Sequence, residues 1–153
     1  MKHPVRPATA ADLAELARLH ALCFPDDRWD AQALSELLAM PGTTAHLVEE
    51  PGQRRAIGMM LDLLVAGSGE VLTLGVAPAV RRQGIARALL EDLFARAGGL
   101  GVKSLGLEVA ADNGAARRLY ERCGFTLTGQ RRGYYRRGRD TVDALLFRRT
   151  LLD

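Results

Sequence analysis

The sequence predicts a mixed α/β domain, α+β in character, with a central sheet flanked by helices. Two observations carry that reading. Runs with the two-residue period of a strand alternate with runs of helical period, in the order β-α-α-β-β-β-α-β-α-β-β. No internal repeat or low-complexity linker divides the 153 residues, a length that suits one domain with a sizeable core, so a single domain is expected over residues 1–153.

The elements follow in order. Val5-Arg6-Pro7 reads as a short first strand, limited by its prolines. Thr9, with Asp12 three residues on, resembles a capping box. The helix behind it sets Leu13, Leu16, Ala17, Leu19 and His20 along one side until Phe24-Pro25 ends it. After a loop carrying Trp29, Asp30 can cap a second helix that runs through Ala39 and closes at Pro41-Gly42. Three strands are expected at Thr44–Glu49, Ala56–Val65 and Val71–Val76, with turns at Pro51-Gly52 and Gly67-Ser68-Gly69. A helix from about Arg82 to Ala97 stops at Gly98-Gly99-Leu100-Gly101. Lys103–Val109 is the next strand, Asn113–Cys123 a helix, and Phe125–Arg132 and Val142–Leu151 the last strands.

Composition narrows the function classes. Apolar residues make up 48% and charged residues 25%, the ordinary balance of a soluble globular protein. No apolar run approaches the roughly 18 residues of a membrane span, and Met1-Lys2-His3-Pro4 opens no secretory signal, so a cytoplasmic protein without membrane contact is expected. The net charge of +3 is too small and dispersed for direct nucleic-acid binding. Of 21 basic residues only Lys2 and Lys103 are lysines, and arginine suits bidentate phosphate contacts. Cys23 and Cys123 lack CxxC spacing and read as buried free thiols. His3, His20 and His46 are scattered, so no metal site is expected.

Two constellations carry chemistry. Arg81-Arg82-Gln83-Gly84-Ile85-Ala86 lies between the strand ending Leu74-Gly75-Val76 and the helix bearing Ile85, Leu89 and Leu93. A helix N-terminus offers unpaired N–H groups and the positive end of the dipole, a setting for phosphate. Gly84 and Ala86 keep side chains clear, while Arg81, Arg82 and Arg87 add charge. Taken alone, the loop is equally a helix start with solvated arginines. Downstream, Leu105, Leu107 and Val109 face one way along their strand, and Ser104, Gly106 and Glu108 the other. Glu108 thus faces a cleft beside small residues or is a solvated strand glutamate. Asn113 is an N-cap and Gly124 a C′ residue for a helix packed by Ala116, Leu119 and Cys123, with Tyr120 one step round and half-buried.

The combination of Arg81-x-x-Gly84-x-Ala86 with Asn113-x-x-Ala116-x-x-Leu119-Tyr120-x-x-x-Gly124-Phe125 resembles the GCN5-related N-acetyltransferase (GNAT) superfamily. Phe24-Pro25 before Trp29, Leu107-Glu108-Val109, Arg131-Arg132-Gly133-Tyr134-Tyr135 and Asp143-Ala144 are similar to the RimI-type alanine N-acetyltransferases within it. The resemblance runs from about Val5 to Leu151 and implies a mostly antiparallel sheet of about seven strands with about four helices.

It further implies acetyl-coenzyme A as cosubstrate. The pyrophosphate would lie on backbone amides of Arg82, Gln83, Gly84, Ile85, Ala86 and Arg87, with Arg81 adding charge. Leu74-Gly75-Val76 would pair with the pantetheine arm, the Val76 amide would polarise the thioester carbonyl, and Asn113 would reach the pantetheine or the cofactor's outer arm. Glu108 would be the general base and Tyr120 the general acid. The acceptor implied is the N-terminal alanine of small-subunit ribosomal protein eighteen, held near Trp29, Tyr134 and Tyr135. Two further readings stand beside it: the same fold acting on a small-molecule amine in a closed pocket, and a non-catalytic coenzyme A-binding module. Tyr134 and Tyr135 read also as plain strand-edge aromatics. Arg136-Arg137-Gly138-Arg139-Asp140 is more basic than the RimI-like pattern, which leaves acceptor preference open.

Overall fold

The computed structural model describes residues 3–151; Met1 and Lys2, from the segment read as lacking a leader, lie outside them with Leu152 and Asp153. Seven strands and four helices alternate as the periodicity predicts: β1 Arg6–Pro7, α1 Leu13–Cys23, α2 Ala31–Leu38, β2 Thr43–Glu49, β3 Ala56–Val65, β4 Ser68–Val76, α3 Ile85–Gly99, β5 Ser104–Ala110, α4 Gly114–Arg122, β6 Thr126–Arg137 and β7 Asp140–Thr150. The strands form one sheet in the order β1-β2-β3-β4-β5-β7-β6. Every neighbouring pair is antiparallel except β4 and β5. Those two are joined through α3, the crossover that a parallel pair requires.

Alternation along the strands divides the core between the two faces of the sheet. Ala45, Leu47, Met59 and Leu61 pack with Leu16, Leu19 and Leu34 of α1 and α2. Val48, Ile57, Met60, Leu105 and Leu107 pack with Ile85, Leu89, Leu90 and Leu93 of α3. β3 is therefore buried on both sides, which is why Ala56–Leu61 reads as a nearly unbroken apolar run. Gly58 is required there: a Cβ would stand 2.5 Å from Ile85 Cγ2, so its absence lets the first turn of α3 sit against β3. The one carboxylate in this layer, fully buried Asp62, is held by Arg96 of α3 at 2.8 and 3.2 Å.

Three expectations are corrected. α3 begins at Ile85, not Arg82, because Arg82 (φ +65°) and Gly84 (φ +86°) take left-handed backbone that a right-handed helix cannot include. α3 then runs on through Gly99, past the expected stop at Gly98; the left-handed turn comes only at Gly101 (φ +72°). The last two strands are longer than expected and meet in a tight hairpin, so Tyr134 and Tyr135 are strand residues of β6, which lies at the sheet's edge.

Candidate active site

The site begins where the two parallel strands part. β4 and β5 pair only from Ser68↔Ser104 to Val71↔Leu107. One residue later β4 carries a bulge: Val71 and Thr73 oppose adjacent Asp62 and Leu61, leaving Leu72 as the extra residue. A bulge bends and twists its strand, and here it accompanies the divergence of Leu72–Val76 from Glu108–Ala110. The result is a V-shaped opening walled by β4 on one side and by β5, α4 and β6 on the other. The cleft has a volume of about 1770 Å³ and is open to solvent.

The β4 wall presents backbone groups. Ala77 N–H donates to the Ile57 carbonyl at 2.9 Å, so the next pairs inward alternate in type. Val76, opposite Gly58, and Leu74, opposite Met60, then aim their N–H and C=O groups away from β3, toward the cleft. The Val76 carbonyl is taken by two donors, the Cys23 thiol at 3.3 Å and Arg81 Nε at 3.0 Å. Gly75 lets α1 close in from behind, since a Cβ there would lie 3.0 Å from Cys23 Sγ and 3.2 Å from the Phe24 ring.

At the end of β4 the loop delivers an uncapped helix. Gly84 is the N-cap residue of α3, no side chain accepts from the first-turn N–H groups, and a Cβ on Gly84 would meet nothing within 4 Å. The unpartnered amides and the dipole together form a positive, sterically open pole. Arg82, Gly84, Ile85, Ala86 and Arg87 line the cleft here, but Gln83 does not; its carbonyl is bonded to His3 Nε2 at 2.8 Å. Arg81 lines the cleft with its Nε turned back onto β4, and Arg87 pairs with Glu91 at 3.3 Å.

The opposite wall carries the titratable groups. Glu108 follows the last residue of β5 that pairs with β4, and its carboxylate meets Arg131 Nε at 3.0 Å. Tyr120 on α4 is buried, not half-buried as its place on the helix predicted; its ring meets Phe125 edge-on at 5.8 Å. Burial pushes its phenol well above the ordinary tyrosine value, so it stays protonated. Asn113 caps α4, its Oδ1 accepting from Ala116 N–H at 3.2 Å, which leaves its NH₂ free to donate to another partner.

Aromatic side chains crowd the other end of the cleft. The Trp29 ring stacks on His20 at 4.7 Å, and the Trp29 backbone N–H donates to His20 Nδ1 at 3.0 Å. Burial lowers the His20 pKa to about 4, which keeps the ring neutral, with its proton on Nε2. Tyr134 and Tyr135 meet edge-on at 5.1 Å. Burial first, then the nearby Glu108 charge, raise the Tyr135 phenol. Arg137 reaches from β6 to Asp27 at 3.0 Å and Asp112 at 3.1 Å, tying together the two loops that flank this end.

Thus every residue expected to hold the cosubstrate, the acceptor or the transferred protons, except Gln83, lines one cleft. Sequence reasoning missed His20 as the seat of Trp29, Cys23 as a donor to β4, and the Arg131–Glu108 and Arg137 ion pairs. Of these, Arg131 had a local signal in its place in the Arg-Arg-Gly-Tyr-Tyr run, and Arg137 in the basic Arg136–Asp140 segment expected at the acceptor entrance. Of the basic hairpin, Arg137 alone lines the cleft; Arg136 and the Gly138–Asp140 turn do not.

Comparison with known proteins gives a consistent result. Residues 13–125 match the model of the acetyltransferase (GNAT) family. The N-alpha-acetyltransferase RimI of Mycobacterium tuberculosis (strain ATCC 25618 / H37Rv) is 38% identical over 135 residues, spanning 84% of this chain and 81% of that protein. The ribosomal protein bS18-alanine N-acetyltransferase of Escherichia coli (strain K12) is 40% identical over 83 residues, 54% of this chain and 56% of that enzyme. The crystal structure of the ribosomal-protein-S18-alanine N-acetyltransferase from Escherichia coli shares the fold, with a TM-score of 0.90 over 99% of this chain and 96% of that one at 24% identity.

Proposed function

The chain belongs to the GNAT family of acetyltransferases and is an acetyl-coenzyme A-dependent N-acetyltransferase, and on that basis we propose that it acetylates a peptide α-amine, with the N-terminal alanine of ribosomal protein bS18 as acceptor. One observation carries the proposal: Glu108 and Tyr120 line a cleft that runs openly to Trp29 and Tyr134. A peptide needs such a groove, whereas a small-molecule amine would be better served by an enclosed pocket. The name of the Escherichia coli relative suggests the particular acceptor. A ribosomal acceptor would place the reaction in the cytoplasm, and among the described residues no helix is long and apolar enough to cross a membrane.

The residues fit the cosubstrate. The open amides of α3 beyond Gly84 suit a pyrophosphate, and the cleft-facing N–H and C=O groups of Leu74 and the N–H of Val76 suit a pantetheine amide. Bound there, acetyl-coenzyme A supplies an activated acetyl thioester. The Val76 N–H would hydrogen-bond the thioester oxygen as charge develops on it. Cys23 and Arg81 hold that stretch of β4 by its carbonyl, so the N–H is oriented before the substrate arrives. The acceptor α-amine, with an ordinary pKa of about 7.7–8.0, is largely protonated at neutral pH. Glu108 would take its proton, directly or through water, to free the attacking lone pair. Tyr120, kept neutral by burial, would donate to the departing sulfur. Direct attack needs no protein nucleophile.

The test is turnover on a peptide with the bS18 N-terminus. Wild-type protein is expected to yield α-acetylated peptide, and Glu108→Gln to lower kcat/KM by about 10²–10⁴-fold with acetyl-coenzyme A binding retained. No turnover on the peptide beside good turnover on a small amine would overturn the acceptor assignment. Glu108→Gln at the wild-type rate would overturn the base.

A further inference from the structure

Glu108 is not a bare carboxylate. It is 28% exposed, and the Arg131 guanidinium occupies it at 3.0 Å, which is where an acceptor ammonium would have to approach. The fold holds Arg131 there. Between Arg131↔Ala144 and Tyr135↔Val142, three residues of β6 oppose the single residue Asp143. Asp143 pins this bulge through its carboxylate, which accepts from Gly133 N–H and from Gln130 Nε2, both at 2.9 Å. Gly133 (φ +60°) supplies the left-handed backbone the bulge needs. The Arg131 guanidinium also stands 5.4 Å from the Tyr134 ring centroid, on the acceptor side of the cleft.

The other charged and titratable groups around Glu108 are spoken for or neutral. On β6, Arg137 is committed to Asp27 and Asp112, and Tyr134 and Tyr135 are phenols. On α4, Tyr120 is held protonated by burial. Along the same face of the sheet, Glu70 and Arg148 pair with each other at 3.5 Å. Arg131, 56% exposed, has Glu108 as its only acidic partner among the described residues. An ion pair this open is worth a factor of about two to five, so an incoming group can displace it.

We propose that Arg131 is a built-in counter-cation at the acceptor-amine position, which lets Glu108 receive the amine's proton without trapping the ammonium form. The inference rests on the reading of Glu108 as the base. An isolated carboxylate binds an ammonium and stabilises it, which keeps the nucleophile protonated. With Arg131 beside it, the site is close to neutral: a cation gains little there, while the neutral amine is admitted freely. The proton leaves the amine nitrogen for the Glu108 carboxylate, and Arg131 keeps its own protons throughout. Arg131 is thus a positioning residue that selects the reactive protonation state.

The probe is a bS18 N-terminal peptide whose terminal nitrogen is trimethylated, a permanent cation that cannot be acetylated. Arg131→Gln is expected to tighten its competitive Ki about two- to five-fold and to move the acidic limb of the kcat–pH profile upward by about 0.3–0.7 units. Arg131→Lys, which keeps the charge, is expected to restore both values, and acetyl-coenzyme A affinity should be the same in all three proteins. An unchanged Ki and limb in Arg131→Gln, with Glu108→Gln inactive, would overturn the role of Arg131 alone. Wild-type turnover in Glu108→Gln would instead overturn the base, and this inference with it.

Discussion

Tyr120→Phe separates catalysis from stability. The ring is 6% exposed and packs edge-on against Phe125 at 5.8 Å, contacts that phenylalanine keeps. Burial and the neighbouring Cys123 and Tyr135 are what perturb the phenol, with no hydrogen bond to it among the described residues, so removing the hydroxyl breaks no internal bond. The expected change in stability is within about 1 kcal/mol, or roughly 4 °C in Tm for a chain of this size. The rate should respond differently. Loss of a positioned general acid costs about 10²–10⁴-fold, or roughly 3–5 kcal/mol of barrier. Peptide turnover and thermal melts on the same preparation measure both. Because burial raises the Tyr120 phenol, the wild-type rate should show no falling limb from it below about pH 10, the ordinary tyrosine value. A kcat within three-fold of wild type, or a Tm loss of about 10 °C, would refute the assignment.

Two further outcomes follow from buried charge. Arg96→Met strips fully buried Asp62 of its bonds at 2.8 and 3.2 Å and should cost about 3 kcal/mol in urea denaturation. Asp62→Leu combined with Arg96→Met should recover most of that, and a single-variant loss below about 1 kcal/mol would mean water reaches Asp62. His20 has a folded pKa of about 4, below its ordinary value of about 6.5. Its contribution is present above the unfolded value and is lost as pH falls from about 6.5 toward 4. Wild-type Tm should therefore drop more steeply over that range than that of His20→Gln; parallel curves would show that the imidazole is not held neutral.

The order of elements was legible because each switch between two-residue and helical periodicity leaves a local mark, and most strand and helix ends fell within three residues of the observed ones. The exceptions have physical causes. Arg82 takes a left-handed conformation with no glycine to announce it, so α3 was expected to start early. Gly133 and the residues after it fell outside the expected strand, although the ladder between β6 and β7 resumes beyond the bulge. Tyr120 sits at the margin of its helix's apolar stripe, and its ring is covered by Phe125, which lies between α4 and β6.

By itself the sequence determined the class of fold and the order of its elements, because helix caps, glycine positions and strand alternation are local properties; the donor loop, Glu108 and Tyr120 were proposed through the resemblance of its motifs to the GNAT pattern. Only the tertiary structure decided how those residues act together. The bulge at Leu72 parts β4 from β5, and the strand order β5-β7-β6 carries Arg131 across to Glu108. His20 and Trp29 meet over nine positions, and Asp27 and Arg137 over 110. Contacts of that kind depend on how strands register and diverge in space, and no local pattern along the chain encodes them.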